Sequence, residues 1–328
     1  MSREPEVAST RNAPPPRSGG SGTHERGVEG RKVEDRRPKV APLSRGQSGG
    51  PAADMAELHA RLRRTDGTLA SHNFMACCRR MAPSEAVLNT IGEVQEQGYC
   101  VLRGHFSSRL VDACRDAFWP HLLAHLDNAP PSNRGPHRHF LPLPFERPCF
   151  APEFFFDPDV LAVVRGLMDD GIVADQWSCD VPLRGSEYQG VHVDYQRPLF
   201  PELPHLVLPP FAVLVSFGLV RIAREHGPIE IAPGTHRMTR MDALQAVETG
   251  EIGLRAVPLE IGDVLIRHPW VLHRGTPNTT DTPRALATIR YVRRWYADAS
   301  REVEHLSRET WASLTAEQQR VLRFPFSE

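Results

Sequence analysis

The stretch QGVHVDYQRPLF, residues 189–200, places His192 and Asp194 two positions apart. With 15 histidines in the chain, about one such His-x-Asp spacing is expected by chance. In a β-strand, side chains two residues apart project to the same face. If this stretch is a strand, the donor atoms of His192 and Asp194 can therefore converge on one metal ion, and the pair predicts two ligands of a metal site.

A second pair, His125 and Asp127, shows why the local structure matters. It lies in FSSRLVDACRDAFWPHLLAHLD, residues 106–127, where apolar residues recur at helical spacing. On a helix with about 3.6 residues per turn, residues two apart point about 200° away from each other. The segment therefore predicts a long helix beginning at Ser107, and its His-x-Asp pair cannot share a ligand.

The composition excludes several classes of protein. The chain has 328 residues, 40% of them hydrophobic, which is enough for a sizeable core in one or two domains. Its net charge of −1 does not favour nucleic acid. No run of about 18 apolar residues and no apolar leader occur, so neither a membrane partner nor a signal peptide is predicted. The six cysteines lack CxxC spacing. We expect a cytoplasmic protein in a reducing compartment.

The chain divides by composition near residue 52. Residues 1–52 are rich in Pro, Gly, Ser and Arg, and no aromatic Phe, Trp or Tyr precedes Phe74. Such a segment cannot bury enough apolar surface to offset its ordering entropy, so it predicts a disordered tail. Residues 53–328 are predicted to form a single domain that starts with a short helix near Asp54.

Helical patterns come first in this domain and short strands follow. Helices are predicted over 82–98, from Ser107, over 157–171 and from Met241. After the early strand YCVL (99–102), β-type runs concentrate in a core of about 172–296, namely IVADQWSCDV, FAVLVSFGLV, PIEIAP, DVLIRHPWVLH and ALATIRYVRRWY. This order predicts an α+β chain whose second half is a β-sandwich or jelly roll.

A third ligand for the proposed site is His273, in HPWVLHRGTPNTTDTPRALATIRYV, residues 268–292. Two histidines and one carboxylate are the signature of non-haem iron(II) oxygenases. A similar set also serves hydrolytic zinc, so zinc is the competing metal. His268 is the alternative third ligand, but in one continuous strand it would face away from the His273 side.

Arg284, eleven residues beyond His273, favours iron over zinc. The turn-forming segment PNTTDTP between them predicts a hairpin that brings the guanidinium beside the metal. Arginine binds carboxylates through paired, charge-assisted hydrogen bonds, which suits the far carboxylate of a metal-chelated 2-oxo diacid. A hydrolytic zinc site has no such need. Thr276, near the same turn, is a candidate hydroxyl donor to this cofactor.

Four segments in this order carry a family resemblance: GYCVLRGHF near the start, QGVHVDYQ, HGPIEIAPGTHR and HRGTPNTTDTPR. Over about residues 90–296 the chain resembles the phytanoyl-CoA dioxygenase-like family of Fe(II)/2-oxoglutarate-dependent oxygenases. The resemblance implies a double-stranded β-helix (jelly roll, cupin-like) core with N-terminal and flanking helices. It also implies Fe(II) at His192, Asp194 and His273, 2-oxoglutarate at Arg284, and O2 as co-substrate. His226 stands where the family often has asparagine.

The resemblance implies that decarboxylation of 2-oxoglutarate to succinate is coupled to hydroxylation of a small organic metabolite, such as a natural-product intermediate. Related halogenating enzymes lack the carboxylate ligand, so the presence of Asp194 indicates a hydroxylase type and not a halogenase. Desaturation, epoxidation and cyclisation remain open. The alternatives from other classes are a non-catalytic jelly-roll binding protein and a zinc-dependent cupin-like hydrolase or isomerase. Segment 133–150, with Arg138 and Arg147, is read either as a loop that receives an acidic group or as a solvated loop.

Overall fold

The computed structural model describes residues 83–128, 130–195, 203, 206–297 and 306–324. The predicted tail 1–52 and the short helix near Asp54 lie outside the described residues, so both stay predictions. The helices are α1 (Glu85–Gln97), α2 (Ser108–Asp127), α3 (Pro152–Phe155), α4 (Pro158–Leu167), α5 (Arg240–Glu248), α6 (Arg308–Ala312) and α7 (Ala316–Val321). The strands are β1 (Tyr99–Leu102), β2 (Arg138–Pro142), β3 (Ile172–Pro182), β4 (Ala212–Gly218), β5 (Glu230–Ile231), β6 (Arg255–Ala256), β7 (Val264–Arg267), β8 (His273–Arg274) and β9 (Leu286–Arg293).

The four predicted helices in the described part are confirmed, and local capping explains where they start and stop. The Ser84 side chain accepts a hydrogen bond from Val87 N at the start of α1, and Gly98, at φ 85°, ends that helix. Ser107 caps α2 in the same way through Leu110 N. None of the described helices is long and apolar enough to cross a membrane.

The strands form two antiparallel sheets. The larger has six strands in the order β1-β7-β4-β9-β3-β2, and the smaller has three in the order β6-β5-β8. Within β9, Ala287, Ile289 and Tyr291 belong to the main apolar core, whereas Leu286, Thr288 and Arg290 line a cavity. This alternation follows from the two-residue period of a strand. The predicted α+β jelly-roll fold is confirmed.

Helices α1 to α4 pack against one face of the larger sheet. Val111, Cys114 and Phe118 of α2 share a continuous core with Trp177 of β3 and Phe217 of β4. Dense packing of this kind resists deformation. The opposite face of the sheet is therefore held rigidly, and it carries the polar side chains that enter the cavity.

Two expectations about strands were wrong. The run DVLIRHPWVLH does not form one strand: β7 ends at Arg267 in the larger sheet, and β8 begins at His273 in the smaller one. His192 and Asp194 do not lie in any of the nine strands. Instead, His192 makes one isolated antiparallel bridge to His273. This single bridge still brings two of the predicted ligands together, because it places His192 directly beside His273.

Sequence reasoning also left several elements out. The segment read as a loop, 133–150, contains β2, which pairs with β3 along the edge of the larger sheet. Strand β6 and the two C-terminal helices were not predicted. All four elements are short, and β2 and β6 depend on pairing partners that are distant in sequence, so local patterns carry little information about them.

Candidate functional site

A cavity of about 650 Å³ lies between the two sheets. The inward-facing residues of β3, β4, β7 and β9 form its walls, together with His273 and Gly275 from the smaller sheet side. His192, Asp194, His273 and Arg284 all line it. The structure thus brings four of the five residues predicted from the sequence into one cavity, from three separate parts of the chain.

The two histidines face each other in matched hydrogen-bonding environments. Their backbones exchange two hydrogen bonds of 2.9 Å, and their ring centroids are 4.4 Å apart. Nδ1 of His192 lies 2.7 Å from Gly190 O, and Nδ1 of His273 lies 3.0 Å from Val271 O. A carbonyl only accepts hydrogen bonds, so each Nδ1 carries a proton, and in the neutral form of each ring the lone pair is on Nε2. Both rings therefore offer Nε2 as a metal donor.

Asp194 lies next to this pair. Its Oδ1 is 3.6 Å from Nε2 of His273, while its Oδ2 accepts a hydrogen bond of 2.7 Å from Nη1 of Arg267. Burial alone raises the pKa of Asp194, but the charge of Arg267 and its hydrogen bond, with the neighbouring His273 and His192, outweigh burial and lower this pKa to about 2. The carboxylate is therefore ionised at neutral pH. One oxygen is held by arginine and the other faces the histidines.

Arg267 is a buried cation within this group that the sequence reasoning missed. Its Nη1 is 3.2 Å from Nδ1 and 3.4 Å from Nε2 of His273. An atom nearly equidistant from both ring nitrogens lies over the ring face and not along the lone pair of Nε2. Burial, followed by the charge of Arg267, lowers the pKa of His273 to about 3, so the ring is neutral and can act as a ligand.

The donor set fits a divalent metal ion in its chemistry. In the described ranges, no group of three or more His, Cys, Asp or Glu side chains is already arranged to hold a metal ion. Oδ2 of Asp194 is taken by the hydrogen bond from Arg267. Two imidazole rings, with centroids 4.4 Å apart, and one carboxylate oxygen, 3.6 Å from Nε2 of His273, are nevertheless the donor types that such an ion takes.

Arg284 is 1% exposed and has unused donors. Its Nη2 donates a hydrogen bond of 3.2 Å to Oδ2 of Asp180, and its Nε has no partner in the described part of the chain. Burial lowers the pKa of Arg284 to about 10, and the charge of Arg138 acts in the same direction, whereas Asp180 opposes them. Arg284 is still cationic at neutral pH. It presents a fixed positive charge to the cavity with free hydrogen-bond capacity for an anion.

Arg138 fits neither expectation for segment 133–150, which was read as a loop that receives an acidic group or as a solvated loop. It is 1% exposed, donates to Asp180 at 3.0 Å through Nη1, and donates to the Thr276 carbonyl at 3.0 Å through Nη2. It therefore neither sits in a solvated loop nor has its charge free. Its function is to share Asp180 with Arg284, which holds both guanidinium groups in place.

Thr276 and His268 lie away from the cavity lining. The Thr276 hydroxyl donates to Pro228 O at 2.7 Å, so it holds the turn that precedes Arg284. The ring of His268 is 4.8 Å from that of His236, and its Nδ1 accepts a hydrogen bond from Trp270 N. The structure therefore brings His273, and not His268, to Asp194. His226 accepts a hydrogen bond from Ala223 N within a short 3₁₀ turn.

The model of the phytanoyl-CoA dioxygenase (PhyH) family matches residues 94–286 of this chain. Similar solved structures include the epimerase SnoN from nogalamycin biosynthesis, with 17% identity, a TM-score of 0.47, and coverage of 63% of this chain and 82% of that one. Another is EctD from S. alaskensis with bound Fe, with 21% identity, a TM-score of 0.49, and coverage of 69% and 81%. Similarity at this level transfers neither a reaction nor a substrate.

The family match covers more than half of the 328 residues. It includes strands β1 to β8, the two histidines, Asp194 and Arg284. This chain belongs to the phytanoyl-CoA dioxygenase family, a class of non-haem enzymes that depend on iron and 2-oxoglutarate.

Proposed function

We propose that the protein couples the oxidative decarboxylation of 2-oxoglutarate to the hydroxylation of a small organic metabolite. In this proposal, His192, Asp194 and His273 hold iron(II), and Arg284 holds the far carboxylate of 2-oxoglutarate. The observation that carries it is the convergence, in one cavity, of two histidine Nε2 atoms, one carboxylate and a buried arginine with unused donors.

The residues around the ligands support these roles. The hydrogen bonds from Nδ1 of both histidines to backbone carbonyls fix the rings with Nε2 toward the cavity. Arg267 occupies Oδ2 of Asp194, so Oδ1 remains as the single donor oxygen. Iron(II) with 2-oxoglutarate and O2 supplies the oxidising power for cleavage of a C–H bond.

The cavity walls support the role of Arg284. Three leucines line the space with apolar surface: Leu286 at the start of β9, Leu214 of β4 and Leu265 of β7. In such surroundings, a charge-assisted hydrogen bond to a carboxylate is stronger than in water. Asp180, itself held by Arg138, keeps the guanidinium of Arg284 in one orientation.

The experiment is an anaerobic titration of metal-free protein with Fe(II) and then with 2-oxoglutarate. We expect a visible metal-to-ligand charge-transfer band in the native protein, no band in His192→Ala, and a weakened band in Arg284→Ala. His125→Ala, which removes a histidine of the other His-x-Asp pair, is the control and keeps the band. If folded, iron-loaded native protein gives no band, the assigned site is wrong, and metal analysis then tests the zinc alternative.

A further inference from the structure

The cavity holds three buried arginines that differ in how fully their donors are used. Arg290 donates from Nε and Nη2 to the two oxygens of Asp175, at 2.7 and 2.6 Å, and from Nη1 to the Tyr195 hydroxyl at 3.0 Å. All three of its nitrogens have partners. Arg290 is therefore accounted for as a structural residue of the cavity wall.

Arg267 and Arg284 are not accounted for in this way. The polar contacts of Arg267 with described residues, a hydrogen bond to Asp194 and the approach to the His273 ring, all involve Nη1. The hydrogen bond of Arg284 leaves from Nη2. In both residues Nε is buried and has no hydrogen-bond partner among the residues that the structure describes. The Arg267 side chain is only 7% exposed. Unused donors on a buried cation are costly unless a ligand satisfies them.

The cofactor can satisfy only one of these two arginines. In the proposed function, Arg284 binds the carboxylate of 2-oxoglutarate that is remote from the metal, and 2-oxoglutarate has no other carboxylate free of the metal. The unused donors of Arg267 then need a second anion. This step rests on the proposed function.

The charge of the cavity leads to the same conclusion. An iron(II) ion and a 2-oxoglutarate dianion cancel, so the protein side chains decide the net charge. Among described residues that line the cavity or pair with a lining residue, five arginines face three aspartates, a surplus of two positive charges. They are Arg134, Arg138, Arg267, Arg284 and Arg290 against Asp175, Asp180 and Asp194.

Arg267 places part of this surplus positive charge next to the proposed metal ligands. Its guanidinium holds Asp194 and lies over the ring of His273, so an anion bound to it is adjacent to the proposed metal ligands. Leu214 is in register with both Arg267 and Arg290, and it separates the two guanidinium groups by one apolar side chain. A ligand here meets one charged group and an apolar wall.

We propose that the substrate is a small organic anion with an apolar body, and that Arg267 receives its carboxylate or phosphate. Arg267 is thus a specificity-determining residue that positions the substrate beside the metal ligands. One charge-assisted hydrogen-bonded pair in a buried site corresponds to at least about a tenfold difference in affinity between an anion and its neutral analogue.

The test uses the full-length protein loaded anaerobically with Fe(II) and saturating 2-oxoglutarate. The probes are phenylacetate, its neutral analogue phenylacetamide, and phenyl phosphate, with binding measured by calorimetry. We expect native protein to bind one of the anions at least about tenfold more tightly than the amide, and the tighter anion identifies the group as carboxylate or phosphate. In Arg267→Gln, whose amide can still donate to Asp194, the preference should disappear. Arg184→Gln, at an exposed ion pair, should keep it.

The possible failures are distinguishable. If the charge-transfer band forms but native protein binds anions and amide equally, the inference is wrong and the proposed function stands; this comparison needs no variant. If Arg267→Gln loses 2-oxoglutarate affinity as severely as Arg284→Ala, Arg267 belongs to the cofactor and the inference is also wrong. If no band forms in native protein, the proposed function itself fails.

Discussion

Replacing Arg284 with alanine should weaken the binding of 2-oxoglutarate by about 100- to 1,000-fold. The guanidinium is 1% exposed and has Nε and Nη1 unused by described residues. Two charge-assisted hydrogen bonds to a carboxylate, at about 1.5–3 kcal/mol each, give about 3–4 kcal/mol after partial loss to imperfect geometry, which converts to this range of Kd. Asp180 keeps Arg138 as a partner at 3.0 Å, so no carboxylate is left unpaired and the fold should survive.

The assay is an anaerobic titration of the Fe(II)-loaded protein, with the charge-transfer band as the readout. Comparing 2-oxoglutarate with 2-oxopentanoate, which has the same chain length but lacks the far carboxylate, isolates the contribution of Arg284. Native protein should prefer 2-oxoglutarate strongly, and Arg284→Ala should bind both acids with similar, weak affinity. Arg134→Gln is the control, because Arg134 lines the same cavity but is exposed. An equal loss of affinity for both acids would refute the assignment.

Three further predictions test other parts of the structure. Asp194→Ala should abolish substrate-linked succinate formation while circular dichroism shows a folded protein; retained turnover would remove Asp194 from the ligand set. The hydrogen bond of 2.9 Å between His105 and Asp157 raises the pKa of the histidine and helps to lower that of the carboxylate. The histidine's contribution to stability is lost as pH rises through its raised pKa, and that of the carboxylate is lost as pH falls through its lowered pKa. A double-mutant cycle with His105→Ala and Asp157→Asn should therefore show the largest coupling near about pH 5–6, and a coupling that does not vary with pH would contradict the ion pair. Gly98→Ala should destabilise the protein by about 1–3 kcal/mol in urea unfolding, because φ is +85° and the added Cβ would lie 2.7 Å from Nδ1 of His236; an unchanged midpoint would show that the backbone adjusts freely.

The parts of the fold that the sequence predicted correctly are those with local causes. Helix α1 follows from signals within its own ends, Ser84 as the cap and Gly98 as the stop. Strand β2 has no such signal, because its polar residues Arg138 and His139 are buried only through pairing with β3, some 40 residues later. Arg138 illustrates the difference: its charge suggested a surface residue, and only Asp180, a partner on β3, explains its burial.

The same distinction between local signals and long-range contacts applies to the candidate site. The residue types and spacings of His192, Asp194, His273 and Arg284 are enough to indicate a metal and a carboxylate-binding cation, and the fold brings these four residues into one cavity. The expectation for Thr276 depended on where its hydroxyl points. That direction is set by the carbonyl of Pro228, which is close only because of how the chain folds around the smaller sheet.

Arg267 carries a signal in the sequence that points to its burial. In the apolar run DVLIRHPWVLH, Arg267 shares strand parity with Leu265, which lines the cavity. A charged residue at an inward position of a buried strand needs a partner, and buried charges without partners are rare. Parity alone predicts that Arg267 is buried, but it cannot tell a saturated arginine such as Arg290 from one with donors to spare. Only the hydrogen bonds of the folded chain distinguish the two residues. Both carry the same charge, but Arg290 uses all its nitrogens in the cavity wall, whereas Arg267 keeps donors for the proposed ligand.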